Sequence, residues 1–281
     1  GHFGTLWKQL AEKLGLQVDW IPGNWREGVN PEKVEELLNA DREKQIRAVC
    51  VVHNETATGV TSDISSIRKA VDRTDHPALF MVDTISSLAS MDYRHDEWKV
   101  DVTVAGSQKG LMLPPGLSFN AVSDKALEAS EKAQLPRAYW NWQEMLNANE
   151  QSVFPYTPAT NLLYGLKEAL NLLKEEGLDQ VFARHRQLAE ATRKAVQGWN
   201  LEMNALHSHE FSDSLTAVRM PEGHDADQFR KVVLENFNVS LGNGLGKIQG
   251  KVFRIGHLGD FNAPMLLGTL GAIEMGLEIA G

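Results

Sequence analysis

Short apolar runs alternate with segments of helical spacing through the first half of the chain. Apolar residues dominate four such runs, at 46–52, 78–82, 101–105 and 117–122. Runs of this length, with little alternation of polar residues, are typical of strands buried on both faces. Helical spacing follows Asn30-Pro31 and Ser62. This alternation predicts an α/β fold with a mainly parallel sheet and helices on both faces.

Helical spacing prevails after Ser123. It predicts helices near 124–133, 140–148, 160–174, 178–198, 225–236 and 264–279, with strands at 215–219 and 251–255. Near the start of the chain, a helix is predicted at 5–14 and a short strand at 17–20. A Pro-containing stretch at 154–158 separates the two patterns. We therefore expect a large domain at 1–155 and a smaller C-terminal α+β domain with a connecting helix at 156–281.

Unusual polar residues follow three of the predicted strands. The stretch His-Asn-Glu-Thr-Ala-Thr-Gly occupies 53–59, Asp83 ends the second run, and Lys109 follows the third. Taken alone, such an Asp is usually a helix cap or turn residue, and such a Lys usually lies in solvent. Because the carboxyl ends of parallel strands meet at one edge, where ligands bind, the three groups are expected to lie together.

Pyridoxal phosphate requires this combination of side chains. A lysine binds it as a Schiff base, and a carboxylate keeps its pyridine nitrogen protonated so that the ring accepts electrons. Short polar side chains and backbone N–H groups bind its hydroxyl and phosphate. The strand ends therefore indicate a pyridoxal phosphate site.

Composition excludes several other classes. The chain carries 28 Lys and Arg against 37 Asp and Glu, without a basic cluster, so no nucleic-acid partner is expected. Its single cysteine, Cys50, excludes an internal disulfide and a cysteine-based zinc site, and the histidines lack metal-ligand spacing, so we expect no metal. No apolar stretch approaches the ~20 residues of a membrane span. A cytoplasmic location fits these features best.

Six ordered stretches carry a family resemblance. They lie at 1–4 (Gly-His-Phe-Gly), 53–59, 82–84, 106–110 (Gly-Ser-Gln-Lys-Gly), 114–116 and 253–259 (Phe-Arg-Ile-Gly-His-Leu-Gly). Together they resemble class V, fold-type I aminotransferases dependent on pyridoxal 5'-phosphate, especially the bacterial serine–glyoxylate branch. The resemblance covers essentially the whole chain.

The resemblance implies a role for five residues around the cofactor. Lys109 resembles the Schiff-base lysine that also transfers protons, and Asp83 the carboxylate at the pyridine nitrogen. Phe3 matches the aromatic residue that stacks on the ring. Thr56 matches the hydroxyl group near the phenolic oxygen, and Gln108 matches a phosphate contact.

Two further residues are implied at the edges of the site. Thr157 matches a threonine that reaches the phosphate of a partner subunit, which implies a homodimer with shared active sites. Arg254 matches the arginine that binds the substrate carboxylate, for which a planar guanidinium is suited. Taken alone, such an arginine is more often part of a surface ion pair. The Gly-rich stretch 242–247 fits neither nucleotide-binding template and is interpreted as a loop beside Arg254.

The implied reaction moves the amino group of L-serine to glyoxylate, with amino acids and 2-oxo acids as the small-molecule partners. Alanine or aspartate as donor stays an alternative, because a few pocket contacts select the donor. A non-catalytic binding protein is a second alternative. The resemblance also implies a further N-terminal segment with a phosphate-binding loop. The 281 residues do not include it and do not begin with Met, so we expect a processed product or a fragment.

Overall fold

The computed structural model describes residues 1–281, and helices cover much of its surface. The α-helices are α1 (His2–Lys13), α2 (Pro31–Ala40), α3 (Ile64–Arg73), α4 (Asp124–Glu131), α5 (Trp142–Glu150), α6 (Thr160–Glu176), α7 (Leu178–Gly198), α8 (Ala226–Phe237) and α9 (Ala263–Ala280). Side-chain caps fix several N-termini; Asn30 accepts from the Lys33 amide before α2, and Asp63 accepts from the Ser66 amide before α3.

Ten strands form three sheets. They are β1 (Ala48–Val52), β2 (Asn54–Glu55), β3 (Val60–Thr61), β4 (Leu79–Asp83), β5 (Val102–Gly106), β6 (Ser118–Val122), β7 (Glu202–Met203), β8 (Leu215–Arg219), β9 (Gly242–Asn243) and β10 (Val252–Gly256). Two sheets have four strands each, and β2 and β3 form a separate hairpin.

The first sheet has the order β1-β4-β5-β6. Strands β1, β4 and β5 are parallel, whereas β6 is antiparallel to β5. Val52 pairs with Asp83, which in turn pairs with Val104. The strand ends therefore lie side by side, which confirms the predicted mainly parallel α/β sheet.

Helices α2 and α3 cover one face of this sheet. Leu38 and Ile67 are almost fully buried in a cluster with Phe80 and Val82 of β4. A separate cluster forms beyond β5, where Leu111 and Leu113 pack with Leu173 of α6. Each such side chain contributes about 1.5–3 kcal/mol relative to full exposure.

The second sheet has the order β7-β8-β10-β9 and its pairings are antiparallel. Phe253 and Val218 from its inner face pack against Phe229 and Val233 of α8 and Ile273 of α9. The expectation that no apolar stretch approaches a membrane span is corrected by helix α9, which has the length and composition of one, although 22% of its residues are buried in the fold and core helices of soluble proteins pass the same test.

Residues 25–28 join the two sheets. Trp25 packs in a cluster with Leu215 and Val252 of the second sheet. The Asn204 side chain donates to the carbonyl oxygens of Trp25 (2.9 Å) and Thr58 (3.0 Å). Contacts between the sheets therefore cross the predicted boundary at 155, which itself stays a prediction.

Two local expectations differ from the structure. The predicted strand at 17–20 is wrong, because that stretch is irregular and has no partner strand. The second concerns the aromatic stretch Tyr-Trp-Asn-Trp at 139–142, for which the sequence favours packing in the core over a place in the active-site wall. Trp140 is 86% exposed and Tyr139 is 55% exposed, so the stretch does not pack in the core.

Candidate active site

The carboxyl ends of β1, β4 and β5 bring the predicted strand-end residues to one edge. The His53 amide donates to the Asp83 carbonyl at 2.9 Å, and the Thr84 amide donates to the Val104 carbonyl at 2.8 Å. The chain leaves each strand directly after these bonds. The His53–Gly59 turn, Asp83 and the turn after β5 are therefore neighbours.

Asp83 is a buried carboxylate, with 7% of its surface exposed. Its Oδ1 accepts from the Ile85 amide at 2.9 Å, and its Oδ2 accepts from the Trp7 indole Nε1 at 2.9 Å. Burial raises the pKa of Asp83, and the negative charge of Glu55 adds to that rise. The two N–H donors oppose it, because they stabilise the charged form.

Lys109 lies in a tight turn after β5. The Met112 amide donates to the Lys109 carbonyl at 2.9 Å, and a Cβ at Gly110 would lie 2.1 Å from the Leu88 carbonyl oxygen. Only glycine permits that close approach. The Lys109 ammonium makes no hydrogen bond or ion pair within the chain. Burial lowers the pKa of Lys109, and the positive charge of Arg254 lowers it further.

Arg254 extends from the middle of β10. Its Nε donates to the Asn243 carbonyl at 2.8 Å, and its Nη1 donates to the Thr56 carbonyl at 3.0 Å. Gly242 makes room for this arrangement, since a Cβ there would lie 3.2 Å from the Arg254 Nε. The Nη2 group makes no hydrogen bond within the chain, so the outer edge of the guanidinium remains available to an anion.

A hydroxyl network holds Thr56 in place. The Thr56 hydroxyl donates to the Ser86 Oγ at 2.8 Å, and Ser86 donates to the Asn54 carbonyl at 2.8 Å. The Asn54 side chain also donates to the Ser214 Oγ at 2.9 Å, on the segment before β8. The turn after β1 is thus bonded to both halves of the molecule.

Phe3 reaches the same edge on α1. Its amide and that of Gly4 donate to the Glu55 carboxylate at 3.1–3.2 Å. Glu55 is 6% exposed, so a buried carboxylate holds the N-terminal end of α1. The sequence analysis missed Trp7, and it placed Glu55 in the strand-end stretch without giving it a role. The spacing of 76 positions between Trp7 and Asp83 carries no local signal.

Two predicted residues are not joined to this group. Gln108 is exposed, and its Oε1 lies over Gly106, within 2.9 Å of where a Cβ would be. Thr157 is exposed in the segment between α5 and α6 and has no hydrogen bond to the other predicted site residues. Their roles stay predictions.

Comparison with known proteins identifies the class of this fold and site. The family model "Aminotransferase class-V" matches residues 1–254. The chain therefore belongs to the class V aminotransferases. The expected family and fold type are confirmed.

The chain is similar to two named relatives by sequence and to one solved structure. It is 50% identical to the serine–glyoxylate aminotransferase of Methylorubrum extorquens, over 99% of this chain and 70% of that protein. It is 45% identical to the L-aspartate–glyoxylate aminotransferase of Paracoccus denitrificans, over 98% of this chain and 69% of that protein. The crystal structure of the ureidoglycine–glyoxylate aminotransferase of Bacillus subtilis superposes with a TM-score of 0.91 at 27% identity, covering 100% of this chain and 72% of that one.

Proposed function

We propose that the protein transfers the amino group of L-serine to glyoxylate, using pyridoxal 5'-phosphate. The main support is the grouping of three side chains near one edge of the first sheet. They are the buried carboxylate of Asp83, the half-buried ammonium of Lys109, which has no partner within the chain, and Arg254, whose Nη2 is free. The 50% identical relative is named a serine–glyoxylate aminotransferase, which supports this substrate pair. Both substrates have one carboxylate, so a single arginine serves both.

The side chains at this edge fit pyridoxal phosphate. Each Asp83 oxygen has a single N–H donor, so each retains a lone pair for a pyridinium N–H. Phe3 lies on the helix beside this carboxylate and supplies a ring for stacking. Thr56 offers its hydroxyl oxygen, whereas the phosphate contact expected of Gln108 stays a prediction. When bound, the cofactor supplies an electron sink for the substrate Cα.

Lys109 and Arg254 perform the remaining steps. A pKa below the ordinary lysine value increases the neutral fraction of Lys109, whose amine would hold the cofactor covalently and, once released from it, would take the proton from the substrate Cα. Ionised Asp83, which the Ile85 and Trp7 N–H donors favour, would keep the ring nitrogen of the bound cofactor protonated. Arg254 binds the substrate carboxylate through its free edge and orients the Cα toward Lys109.

We further propose a cytoplasmic homodimer. Thr157 is exposed, and the stretch 139–164 on either side of it in the sequence carries exposed large apolar side chains that include Trp140, Phe154 and Tyr164. An apolar surface of this kind is typical of a subunit interface. A second copy covering it would bring Thr157 to the partner's cofactor phosphate.

A donor screen tests the substrate assignment. With glyoxylate as acceptor, L-serine is expected to give the highest kcat/KM among serine, alanine and aspartate, measured as glycine formed. Preference for aspartate would transfer the assignment to the second donor class, which the 45% identical Paracoccus relative represents.

An absorbance titration tests the cofactor separately from the donor. Added pyridoxal phosphate should produce a lysine-bound visible band that sodium borohydride removes. Absence of that band in a folded protein would favour the non-catalytic alternative.

A further inference from the structure

Phe3 and Trp7 lie on one face of α1, because they are four residues apart in a helix. The same face is directed at the strand-end edge, since the Trp7 indole N–H donates to the Asp83 Oδ2 at 2.9 Å. No motif assigns a role to Trp7. Its contact nevertheless is a direct hydrogen bond from another element to the proposed cofactor carboxylate.

The indole is an unusual partner for a buried carboxylate. An indole N–H donates but neither accepts nor releases a proton in the physiological range. It therefore stabilises the ionised carboxylate without neutralising its charge. It also occupies one lone pair of Oδ2, while the Ile85 amide occupies one of Oδ1. The carboxylate plane is thus fixed, and a free lone pair remains on each oxygen.

Glu55 holds α1 in the position that this bond requires. Its carboxylate accepts from the amides of Phe3 and Gly4, and also from that of Ala57 at 3.2 Å. The side chain thus ties the first turn of α1 to the turn after β1. Trp7 is one helical turn further along.

We propose that Trp7 is a positioning residue for Asp83: its indole N–H keeps the carboxylate ionised and aimed before the cofactor cation arrives. This inference rests on the proposed function for the identity of that cation. The hydrogen bond itself belongs to the chain alone. It can therefore be tested without the cofactor.

The charges around Asp83 explain why such a donor is needed. Glu55 on β2 faces Asp83 and raises its pKa, as does burial. His53 at the end of β1 is buried, and burial lowers its pKa to about 4, so it supplies no positive charge near neutral pH. The Ile85 amide and the Trp7 indole are the groups that lower the pKa of Asp83.

Trp7→Phe removes the donor and keeps an aromatic ring. In the cofactor-free chain with ¹³C-labelled Asp carboxyls, assigned with Asp83→Asn, we expect the Asp83 titration midpoint to rise by about one pH unit. The pyridoxal phosphate dissociation constant, from a fluorescence titration, should rise relative to wild type. The ratio should approach about tenfold at pH values below both midpoints.

Trp20→Phe is the matched control. Trp20 packs near Gly4 of α1 but donates no hydrogen bond, so its loss perturbs the helix without touching Asp83. Its Asp83 midpoint should equal that of wild type. An equal midpoint in Trp7→Phe, or an equal rise in Trp20→Phe, would overturn the proposal. If the Trp7→Phe midpoint rises but no variant binds pyridoxal phosphate, the positioning role stands and the proposed function fails.

Discussion

The two large sheets contribute to the site from different parts of their strands. The parallel sheet offers residues at or just beyond its strand ends, such as Asp83 and Lys109, where the backbone turns away. The antiparallel sheet offers Arg254 from the middle of β10, with Gly242 and Ala217 paired on either side. Strand ends gather groups from distant parts of the sequence, whereas a strand interior fixes one side chain rigidly. The comparison predicts that the cofactor and the substrate carboxylate respond to different mutations.

Lys109→Ala should have the largest effect. Without the amine, the borohydride-reducible adduct and turnover should both be lost, because the covalent bond and the proton transfer use the same nitrogen. Reduction followed by mass spectrometry, with a coupled activity assay, measures both. Lys231→Ala is the control, since that ammonium is exposed on α8 and pairs with Glu235 at 3.8 Å. Wild-type turnover in Lys109→Ala would disprove the assignment.

Asp83→Asn tests the second strand-end group. The substitution preserves size but removes the negative charge, so kcat should fall at least about a hundredfold, ~2.7 kcal/mol in activation free energy. The cofactor should bind more weakly without the charge, so the absorbance spectrum and kcat are both measured at saturating pyridoxal phosphate. Asp63→Asn, at the N-cap of α3, keeps its capping role and should retain activity. A change in kcat below threefold for Asp83→Asn would contradict its role.

A buried histidine in each half makes stability depend on pH. Burial lowers the pKa of His53 to about 4 and that of His257 to about 3. The unfolded chain then binds more protons below pH ~6.5, so stability is full above that pH and falls as the pH decreases. For His257 the loss between pH 7.5 and 5 is about 2 kcal/mol in the free energy of unfolding.

Urea unfolding of His257→Gln at the two pH values measures this loss. The variant should lose less stability on acidification than wild type by about that amount. His224→Gln, at an exposed position, should show the wild-type difference. An unchanged difference in His257→Gln would mean that this side chain is not held neutral.

Arg254→Lys separates substrate binding from cofactor binding. The lysine keeps the charge but loses the planar fork, so KM for serine and glyoxylate should rise together by about tenfold, ~1.4 kcal/mol. The cofactor spectrum should stay the same. Arg219→Lys on the adjacent β8 is the control. If the spectrum changed while both KM values stayed constant, Arg254 would be structural.

Gly242→Ala should give the smallest effect. Its new Cβ would lie 3.1 Å from the Arg254 Cβ, which forces the side chain to shift by a few tenths of an ångström. We expect KM to rise about threefold at constant kcat, about 0.7 kcal/mol. Gly23→Ala is the control, because its Cβ would lie in open space and the residue is outside any helix. A lowered kcat at constant KM would place the disturbance at Lys109 instead.

Sequence patterns predicted the helices and strands whose signal lies in neighbouring residues. The strand at 215–219 and the helix at 178–198 were predicted at their observed bounds, because burial and helical spacing are written in neighbouring residues. The stretch 17–20 carried a strand-like pattern but found no partner. Strand β9 was missed because its pairing with β10 involves only Gly242 and Asn243.

The same limit applies to the site. Asp83, Lys109 and Arg254 were predicted from strand ends and motifs, and the structure brings the positive charge of Arg254 near enough to Lys109 to lower its pKa, after burial. Trp7 was not found and Glu55 was given no role, because their partners are created only by tertiary folding. Their contacts span 76 and 51–52 positions.

Residues 25–28, called the strap here because they join the two sheets, limit which parts of related genes can be exchanged. Trp25 and Arg26 meet the second sheet, where the Arg26 Nε donates to the Asn204 carbonyl at 2.8 Å. A recombination crossover near codon 155 between the genes of two diverged relatives would therefore combine the strap of one parent with the C-terminal half of the other, which the strap contacts. Viable chimaeras should be those whose parents agree at these contacts, or in which the strap is inherited together with the C-terminal half.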